Sequence, residues 1–198
     1  MLSNLAPATR GILLACIGVF LLQQVAGDAL LQWFALWPLG PLFAPWQVVT
    51  YAFLHGTLGY GGFTHILFNM IGLVTFGNEL ERYWGTRRFL AFYFASVIAA
   101  AVAQLLVTRS LGQDLPTVGA SGGIYGLLLG FAMMFPRRKV VPLIPPIPMP
   151  AWLFAMLFAG LELYLGVTGT QSGVAHFAHL GGMVGGFLVM RYWRSSRR

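Results

Sequence analysis

Six long apolar segments are the feature that most constrains what this chain can fold into. Each is close to 20 residues long, which at about 1.5 Å per residue of α-helix is enough to cross a hydrocarbon core about 30 Å thick. The pattern predicts an all-α membrane protein, built as a bundle of six transmembrane helices. The predicted helices lie near residues 11–27, 63–80, 89–108, 117–135, 150–168 and 173–190.

The composition agrees with a membrane protein. Of the 198 residues, 58% are hydrophobic and only 9% are charged, whereas about a quarter of the residues in a soluble domain are charged. No internal repeat or separate soluble domain is visible, so residues 1–198 are predicted to form one domain. The first apolar run lacks a convincing cleavage site and is interpreted as a retained helix. The lone cysteine, Cys16, excludes an intrachain disulfide.

The basic residues are distributed unevenly along the chain. A net charge of +7 is compatible with a nucleic-acid partner, so the positions of the basic residues are needed to decide between nucleic-acid binding and a membrane-topology signal. If successive helices alternate in direction, Arg109 is the only one of the twelve Lys and Arg residues on its side of the membrane. Because cytoplasmic loops carry the Lys and Arg excess, both termini are predicted to be cytoplasmic and the loops holding Asp28, Asp114 and Thr170 external. The charge is therefore interpreted as a topology signal, with no nucleic-acid partner.

Two connections stand out between the apolar runs. Residues 28–62 form the longest one and are rich in Trp, Tyr and Pro, which predicts a segment lying along the outer leaflet at the headgroup level. Residues 141–150 are rich in proline, which removes helix donors and clashes with the preceding turn. This second segment is predicted to be a cytoplasmic linker between the fourth and fifth helices.

Glycines recur at four-residue spacing in two of the predicted helices. Gly122, Gly126 and Gly130 lie in the fourth helix, and Gly182 and Gly186 lie in the sixth. Small residues repeated on one face allow two helix backbones to approach closely within a membrane. The fourth and sixth helices are therefore predicted to form the tightest pair.

Ser121 and His179 lie on these two helices. Ser121 is flanked by glycines in a run without charge, where a polar group costs free energy and usually carries function. A serine hydroxyl becomes a good nucleophile only when a base within hydrogen-bond reach takes its proton. Counting about 1.5 Å per residue from the predicted external ends places both side chains roughly 10 Å inward, so they are predicted to meet.

No carboxylate is predicted to complete a triad with these two residues. Asp28 and Asp114 are assigned to external loops, and Glu162 lies near the external end of the fifth helix. A Ser-His pair is therefore favoured over a Ser-His-Asp triad. His176 shares a helix face with His179, and both a packing role and a functional role remain open for it.

His65 and Asn69 form a further polar pair. They are four residues apart in the second helix and therefore share one face. Both can donate hydrogen bonds to a tetrahedral oxyanion, together with the backbone amide of Ser121. The alternative interpretation is that the pair only packs helices together.

Three motifs in chain order resemble those of the rhomboid intramembrane serine proteases. They are Gly-x-Ser-Gly at 119–122 with Tyr125 following, His-Ile-Leu-Phe-Asn at 65–69, and Ala-His-x-x-Gly-x-x-x-Gly at 178–186. The resemblance covers the whole predicted bundle. It implies hydrolysis of peptide bonds in transmembrane helices of other membrane proteins, in a multi-pass protein of the bacterial inner membrane.

The resemblance also implies a role for individual residues. Ser121 is the implied nucleophile and His179 the base and then the acid. His65 and Asn69 are the implied oxyanion-stabilising residues, and Tyr125 is the tyrosine that packs on the histidine. Gly119, Gly182 and Gly186 are the supporting glycines. Phe68 and Met156 match the lateral gate, and Glu81 and Gly85 match the end of the second helix. No metal-ligand spacing or phosphate loop appears, so no cofactor or metal is implied.

One departure from the family pattern is visible, and two other interpretations are open. Many bacterial members carry Trp-Arg in the first external loop, where this chain has Trp46-Gln47. One alternative function is a catalytically silent rhomboid-like protein that binds membrane helices, although such proteins typically lack the serine or the histidine. Another is a small-solute transporter, for which inverted repeats or midplane charges are expected and neither is evident.

Overall fold

The computed structural model of the chain describes residues 2–58, 61–143, 145–169 and 175–196, and most of these residues are helical. The helices are α1 (Pro7–Ala26), α2 (Asp28–Phe34), α3 (Gln47–Thr50), α4 (Gly62–Gly72), α5 (Asn78–Trp84), α6 (Thr86–Leu111), α7 (Ser121–Met134), α8 (Ala151–Thr168) and α9 (His176–Ser195). The π-helical segment Leu73–Gly77 joins α4 to α5 without a break in helical dihedral angles.

Three helices in the described part of the chain are long and apolar enough to cross a membrane on their own. They are α1, α6 and α8, and α7 is a shorter apolar helix. The α4–π–α5 segment covers the second predicted run and extends to Trp84. The helices that correspond to the six predicted runs, α7 included, begin and end within five residues of the predicted positions, and residues 173 and 174 of the last run fall outside the described residues.

The fourth predicted helix begins later than the apolar run indicated. The predicted run begins near residue 117, whereas α7 begins four residues later at Ser121 and has 14 residues, a length of about 21 Å. Thr117 instead forms an antiparallel bridge with Leu36, and Gly119 has φ of +124°. A left-handed dihedral of this kind cannot continue a right-handed helix and favours glycine. Ser121 consequently lies at the start of its helix rather than about one turn inside it.

The proline-rich linker contains the only strands among the described residues, so the all-α prediction needs a small correction. β1 (Lys139–Val140) pairs antiparallel with β2 (Met149–Pro150), with Lys139 opposite Pro150 and Val140 opposite Met149. β2 leads directly into α8, which has Pro150 at its N-cap. The short hairpin thereby connects α7 to α8 across the linker.

The long connection 28–62 is held together by Gln47. This buried side chain donates a 2.9 Å hydrogen bond to the Leu42 carbonyl oxygen and accepts one of 3.2 Å from the Trp37 amide. The exposed Trp46 indole donates to the Trp33 carbonyl oxygen. The residue that departs from the family pattern therefore ties together the backbone of its own loop.

Glycines on α9 allow it to pack against two helices. A Cβ atom on Gly182 would stand 1.9 Å from the carbonyl oxygen of Gly122, so α7 and α9 approach each other closely, as predicted. A Cβ atom on Gly181 or Gly185 would meet the Cβ of Ala103 or Ala99 on α6 at about 2.5 Å or less. The prediction was incomplete, because α9 packs most extensively on α6.

The glycines of α7 also contact more than one neighbouring helix. Gly126 faces Ser96 and the Gly182 carbonyl oxygen, but Gly130 faces the rings of Phe92 and Trp84 rather than α9. Helix crossing explains this outcome, since two inclined helices diverge away from their point of closest approach.

Glu81 caps the start of α1. Its carboxylate accepts hydrogen bonds of 2.8 and 2.7 Å from the backbone amides of Ala8 and Thr9, and others from the hydroxyls of Thr9 and Thr86. The first amides of a helix have no partner within the helix, and the positive end of the helix dipole favours an anion there. The buried Glu81 side chain therefore joins α1 to α5 and α6.

Replacing Glu81 by Ala is expected to lower the free energy of unfolding by about 2–4 kcal/mol, because one buried and one partly buried amide lose their acceptor. Thermal unfolding in detergent measures the effect. Glu79→Ala is the matched control on the same helix, since Glu79 forms only an exposed 3.3 Å pair with Arg138. Equal stability of the two variants would contradict the assigned cap.

Candidate active site

Ser121 is the first residue of α7, and its position follows from the preceding turn. Gly119 turns the chain with a positive φ, and its amide donates to the Tyr51 carbonyl oxygen. The first amides of a helix point outward without an intrahelical acceptor and carry partial positive charge. The start of α7 therefore presents backbone donors next to the Ser121 hydroxyl.

The structure brings His179 into contact with Ser121. The Nε2 atom of His179 lies 2.7 Å from the Oγ atom of Ser121, which is a hydrogen-bond distance. His179 is in the first turn of α9, so both side chains lie near the N-terminal ends of their helices. The sequence-based depth of about 10 Å assumed helices that begin earlier, and the two residues meet where α7 and α9 approach each other closely.

Tyr125 packs on the imidazole of His179. The two rings are stacked with centroids 4.3 Å apart and planes inclined by 5°. Tyr125 is one helical turn after Ser121, so α7 carries both the hydroxyl that faces the edge of the imidazole and the ring that covers its face. This contact restricts rotation of the histidine side chain.

A buried carboxylate lies on the other side of His179. The Oε2 atom of Glu162, on α8, lies 3.0 Å from Nδ1 of His179, but the angle at this contact is not that of a hydrogen bond. The same oxygen lies 2.6 Å from Nδ1 of His176, and Oε1 accepts a hydrogen bond from the Tyr125 hydroxyl. The sequence favoured a Ser-His pair and did not indicate that Glu162 would lie beside His179.

Helix ends explain why Glu162 was set aside. The sequence places it near the external end of its helix and His179 deeper, whereas in the structure the two side chains are in contact. A single acidic residue in the apolar segment 151–168 was itself a usable signal, because ionisable residues in such segments usually have partners and functions.

His65, which is on α4, lies close to Ser121. A Cβ atom on Gly119 would stand 2.7 Å from Nε2 of His65 and 3.8 Å from Oγ of Ser121, so both polar atoms border the same small space. That space exists because residue 119 is glycine. Asn69 is buried one turn further along α4 and donates from its Nδ2 atom to the His65 carbonyl oxygen.

His55 contacts His65 from the long connection. Their rings meet edge to face with centroids 5.1 Å apart. Burial, together with the nearby His65, lowers the pKa of His55 to about 3. His55 is therefore neutral at pH 7 and adds no positive charge beside His65.

Two of the predicted site residues lie on the outside of the molecule. The side chains of Phe68 on α4 and Met156 on α8 are 49% and 65% exposed. Gly186 lies inside, where an added Cβ atom would stand 2.8 Å from the Phe92 ring. The buried polar cluster is thus distinct from the exposed side chains of Phe68 and Met156.

The cluster also contains groups of the types that bind metal ions. Glu162, His176 and His179 each offer one ligand atom, and these atoms lie within 4.8 Å of one another. In the structure the carboxylate oxygen lies directly between the two imidazoles, at 2.6 and 3.0 Å, which are distances of direct contact. No chemical step below involves an ion.

The helices and the buried polar site define the class of protein: an integral membrane protein whose polar side chains converge at the start of two closely packed helices. Its sequence can then be placed among known families. The chain belongs to the rhomboid family, because the model of the Rhomboid domain matches residues 43–196. The family resemblance inferred from the three motifs is thereby confirmed.

Curated relatives match over nearly the whole chain. The chain is 29% identical over 204 residues to the rhomboid protease GlpG of Serratia proteamaculans (strain 568). It is 28% identical over 202 residues to the proteins of the same name from Yersinia pestis (strain Pestoides F) and Yersinia pseudotuberculosis serotype O:3 (strain YPIII). Each match covers 99% of this chain and 66% of the relative, so the chain spans slightly less than two thirds of these proteins.

Proposed function

We propose that this protein is an intramembrane serine endopeptidase that cleaves transmembrane segments of other membrane proteins near the external face of the membrane. The observation that carries the proposal is the 2.7 Å distance between Oγ of Ser121 and Nε2 of His179. A hydroxyl in hydrogen-bond contact with an imidazole is the arrangement that activates a serine for attack. The names of the relatives, rhomboid proteases, support the same activity.

The reaction begins with attack of Ser121 Oγ on the carbonyl carbon of the scissile peptide bond. His179 Nε2 accepts the hydroxyl proton as the new C–O bond forms, and the carbonyl electrons move to the oxygen. The amide of Ser121, His65 and Asn69 stabilise this oxyanion, as donors aimed at developing charge do. His179 then gives its proton to the leaving amine, and water releases the acyl group by the reverse sequence.

The proposed topology has six transmembrane helices in one domain of residues 1–198, with both termini cytoplasmic. The α4–π–α5 segment, α7 and α9 join the three longer apolar helices as spans. The charge distribution supports this arrangement: α7 begins at the site and ends before Arg137, and α9 begins beside the site and ends near Arg194. The site consequently faces the external side, in the inner membrane of a bacterium.

A substrate helix enters from the lipid between α4 and α8. Phe68 and Met156 form the proposed lateral gate, since both are exposed on these helices. A helical substrate hides its carbonyl groups in hydrogen bonds, so the cleaved segment contains Gly, Ala or Pro residues that favour unwinding. Water reaches Ser121 from the external face through the polar cluster.

Labelling with a fluorophosphonate tests this function, because the reagent reacts only with an activated serine. We expect covalent labelling at Ser121 in the membrane-embedded protein, located by mass spectrometry of the labelled peptide. His179→Ala is expected to slow labelling by about 10³-fold or more, since the hydroxyl loses its base. Ser121→Ala is the blank, and the circular dichroism spectrum shows that each variant is folded.

Equal labelling of the wild type and His179→Ala would remove His179 as the base. An unlabelled but folded wild type would favour a catalytically silent protein that binds membrane helices. The same result would also be compatible with a solute transporter, which a transport assay in vesicles would distinguish.

A further inference from the structure

Glu162 is a buried carboxylate that the Ser-His mechanism does not use. We propose that Glu162 is a positioning residue that orients His179 and selects its reactive tautomer, so that the site works as a Ser-His-Glu arrangement. The inference rests on the proposed protease function. It goes beyond that function by assigning a third side chain, from a third helix, to the chemistry.

The geometry places the two nitrogens of His179 against two different groups. Nε2 faces the Ser121 hydroxyl at 2.7 Å, and Nδ1 faces Oε2 of Glu162 at 3.0 Å. Nδ1 is buried and forms no hydrogen bond in the described part of the chain, since the short contact with Glu162 has an unfavourable angle. The carboxylate is therefore the acceptor available to it. Catalytic hydrogen bonds are often poorly aligned before substrate binds and tighten in the reacting complex.

Tautomer selection gives this contact its chemical consequence. His179 can take the serine proton only if Nε2 carries no hydrogen, which requires the hydrogen of the neutral ring to be on Nδ1. A carboxylate only accepts hydrogen bonds when ionised, so its presence beside Nδ1 favours that tautomer. It also stabilises the positive imidazolium that exists after proton transfer, and this effect is larger in a site with little water.

Tyr125 couples the two residues. Its ring covers the face of His179, while its hydroxyl donates to Oε1 of Glu162. The imidazole is thus held from its face by the tyrosine and from its edge by the carboxylate. His176 holds Oε2 of the same carboxylate at 2.6 Å. Glu162 is therefore fixed by two neighbours in the position where it meets His179.

The proton balance of the step leaves Glu162 unprotonated. As Oγ of Ser121 bonds to the carbonyl carbon, the hydroxyl proton moves to Nε2 and the carbonyl electron pair to oxygen. The Nδ1 hydrogen stays on the ring, and its interaction with the carboxylate strengthens as the ring becomes positive. When the C–N bond breaks, the Nε2 proton passes to the departing nitrogen and the neutral ring is restored.

The competing explanation is that Glu162 only joins α8 to α9. A residue of that kind contributes to stability, whereas a positioning residue changes the turnover of each folded active site. The test therefore uses Glu162→Gln, which keeps the size of the side chain and its ability to form hydrogen bonds but replaces the charged carboxylate by a neutral amide. Cleavage of a transmembrane substrate is followed in lipid vesicles, with active sites counted by fluorophosphonate titration.

We expect kcat per titrated site to fall by about 10²- to 10⁴-fold in Glu162→Gln. KM should change little, because the substitution affects the histidine that transfers the proton and not the binding of substrate. The rate of fluorophosphonate inactivation, which needs no substrate, should fall in parallel. Glu162→Asp keeps the negative charge, so its kcat is expected to be at least about tenfold higher than that of Glu162→Gln. Glu79→Gln is the matched control, an exposed glutamate expected to leave every rate unchanged.

A spectroscopic readout is independent of turnover. In protein labelled with ¹⁵N-histidine, the Nδ1 hydrogen of His179 is expected to give a downfield resonance that is lost or displaced in Glu162→Gln. His179→Ala assigns this resonance.

Two results would overturn the role of Glu162 without affecting the proposed protease. In the first, the wild type is labelled and the Glu162→Gln variant keeps the same kcat per titrated site. In the second, the variant loses activity only in proportion to its loss of folded protein. A folded wild type that neither labels nor cleaves would overturn the proposed protease, and this inference with it.

Discussion

Ser121→Ala is expected to abolish cleavage of a transmembrane substrate while leaving the protein folded and inserted. The substitution removes the one oxygen in contact with His179 Nε2, so no acyl intermediate can form. Loss of the nucleophile in a serine protease typically lowers kcat by about 10⁴- to 10⁶-fold. Cleavage of a tagged substrate in vesicles, followed by gel electrophoresis, measures the effect.

Ser96→Ala is the matched control for this experiment. Ser96 is also buried next to α7, but its hydroxyl donates to the Phe92 carbonyl oxygen in its own helix. We expect turnover of this variant to stay within about threefold of the wild type, since surroundings away from the reacting atoms change little. Turnover of Ser121→Ala equal to that of Ser96→Ala would exclude Ser121 as the nucleophile.

The second large effect is expected for Gly182→Ala. The added methyl would stand 1.9 Å from the Gly122 carbonyl oxygen, and this backbone atom cannot move aside without separating α7 from α9. Overpacking of this kind costs about 1–3 kcal/mol, and more where backbone must shift. Gly122 follows Ser121 and Gly182 is one turn after His179, so the same displacement pulls the two reactive side chains apart.

Thermal unfolding and fluorophosphonate labelling together measure the consequence for Gly182→Ala, and we expect both stability and labelling to be strongly reduced. Gly160→Ala on α8 is the control, because its Cβ atom would have no neighbour within 4 Å. In an open helical position alanine is favoured over glycine by about 0.5–1 kcal/mol. A Gly182→Ala variant as stable and as reactive as Gly160→Ala would show that the close approach of α7 and α9 is not required.

The helical segments could be predicted from the sequence to within a few residues, with one exception that matters for the site. Hydropathy indicates where the chain is apolar but not where a helix begins, and residues 117–120 are apolar without being helical. The start of α7 is decided by the positive φ of Gly119 and by the pairing of Thr117 with Leu36. These are contacts with a distant loop, which no local pattern contains.

Among the polar residues, motif spacing was sufficient to select Ser121, His179, His65 and Asn69 as candidates for one site. It was insufficient for Glu162, which belongs to none of the three motifs and lies on a helix without other charges. Its contact with His179 depends on how far α8 and α9 are shifted along their axes. A shift of one turn moves a side chain by about 5.4 Å, which exceeds the length of any hydrogen bond.

The sequence by itself determined that this chain is an integral membrane protein of the rhomboid family with a glycine-flanked serine and a histidine in separate apolar helices. Length, hydropathy and motif spacing are properties of the linear chain and need no partner to be recognised. Three features were decided only by the tertiary structure. The serine is the first residue of its helix, the α9 glycines pack against both α6 and α7, and a glutamate lies beside the Nδ1 atom of the histidine. Those features depend on helix ends, rotation and axial shift, which are set when helices pack against one another.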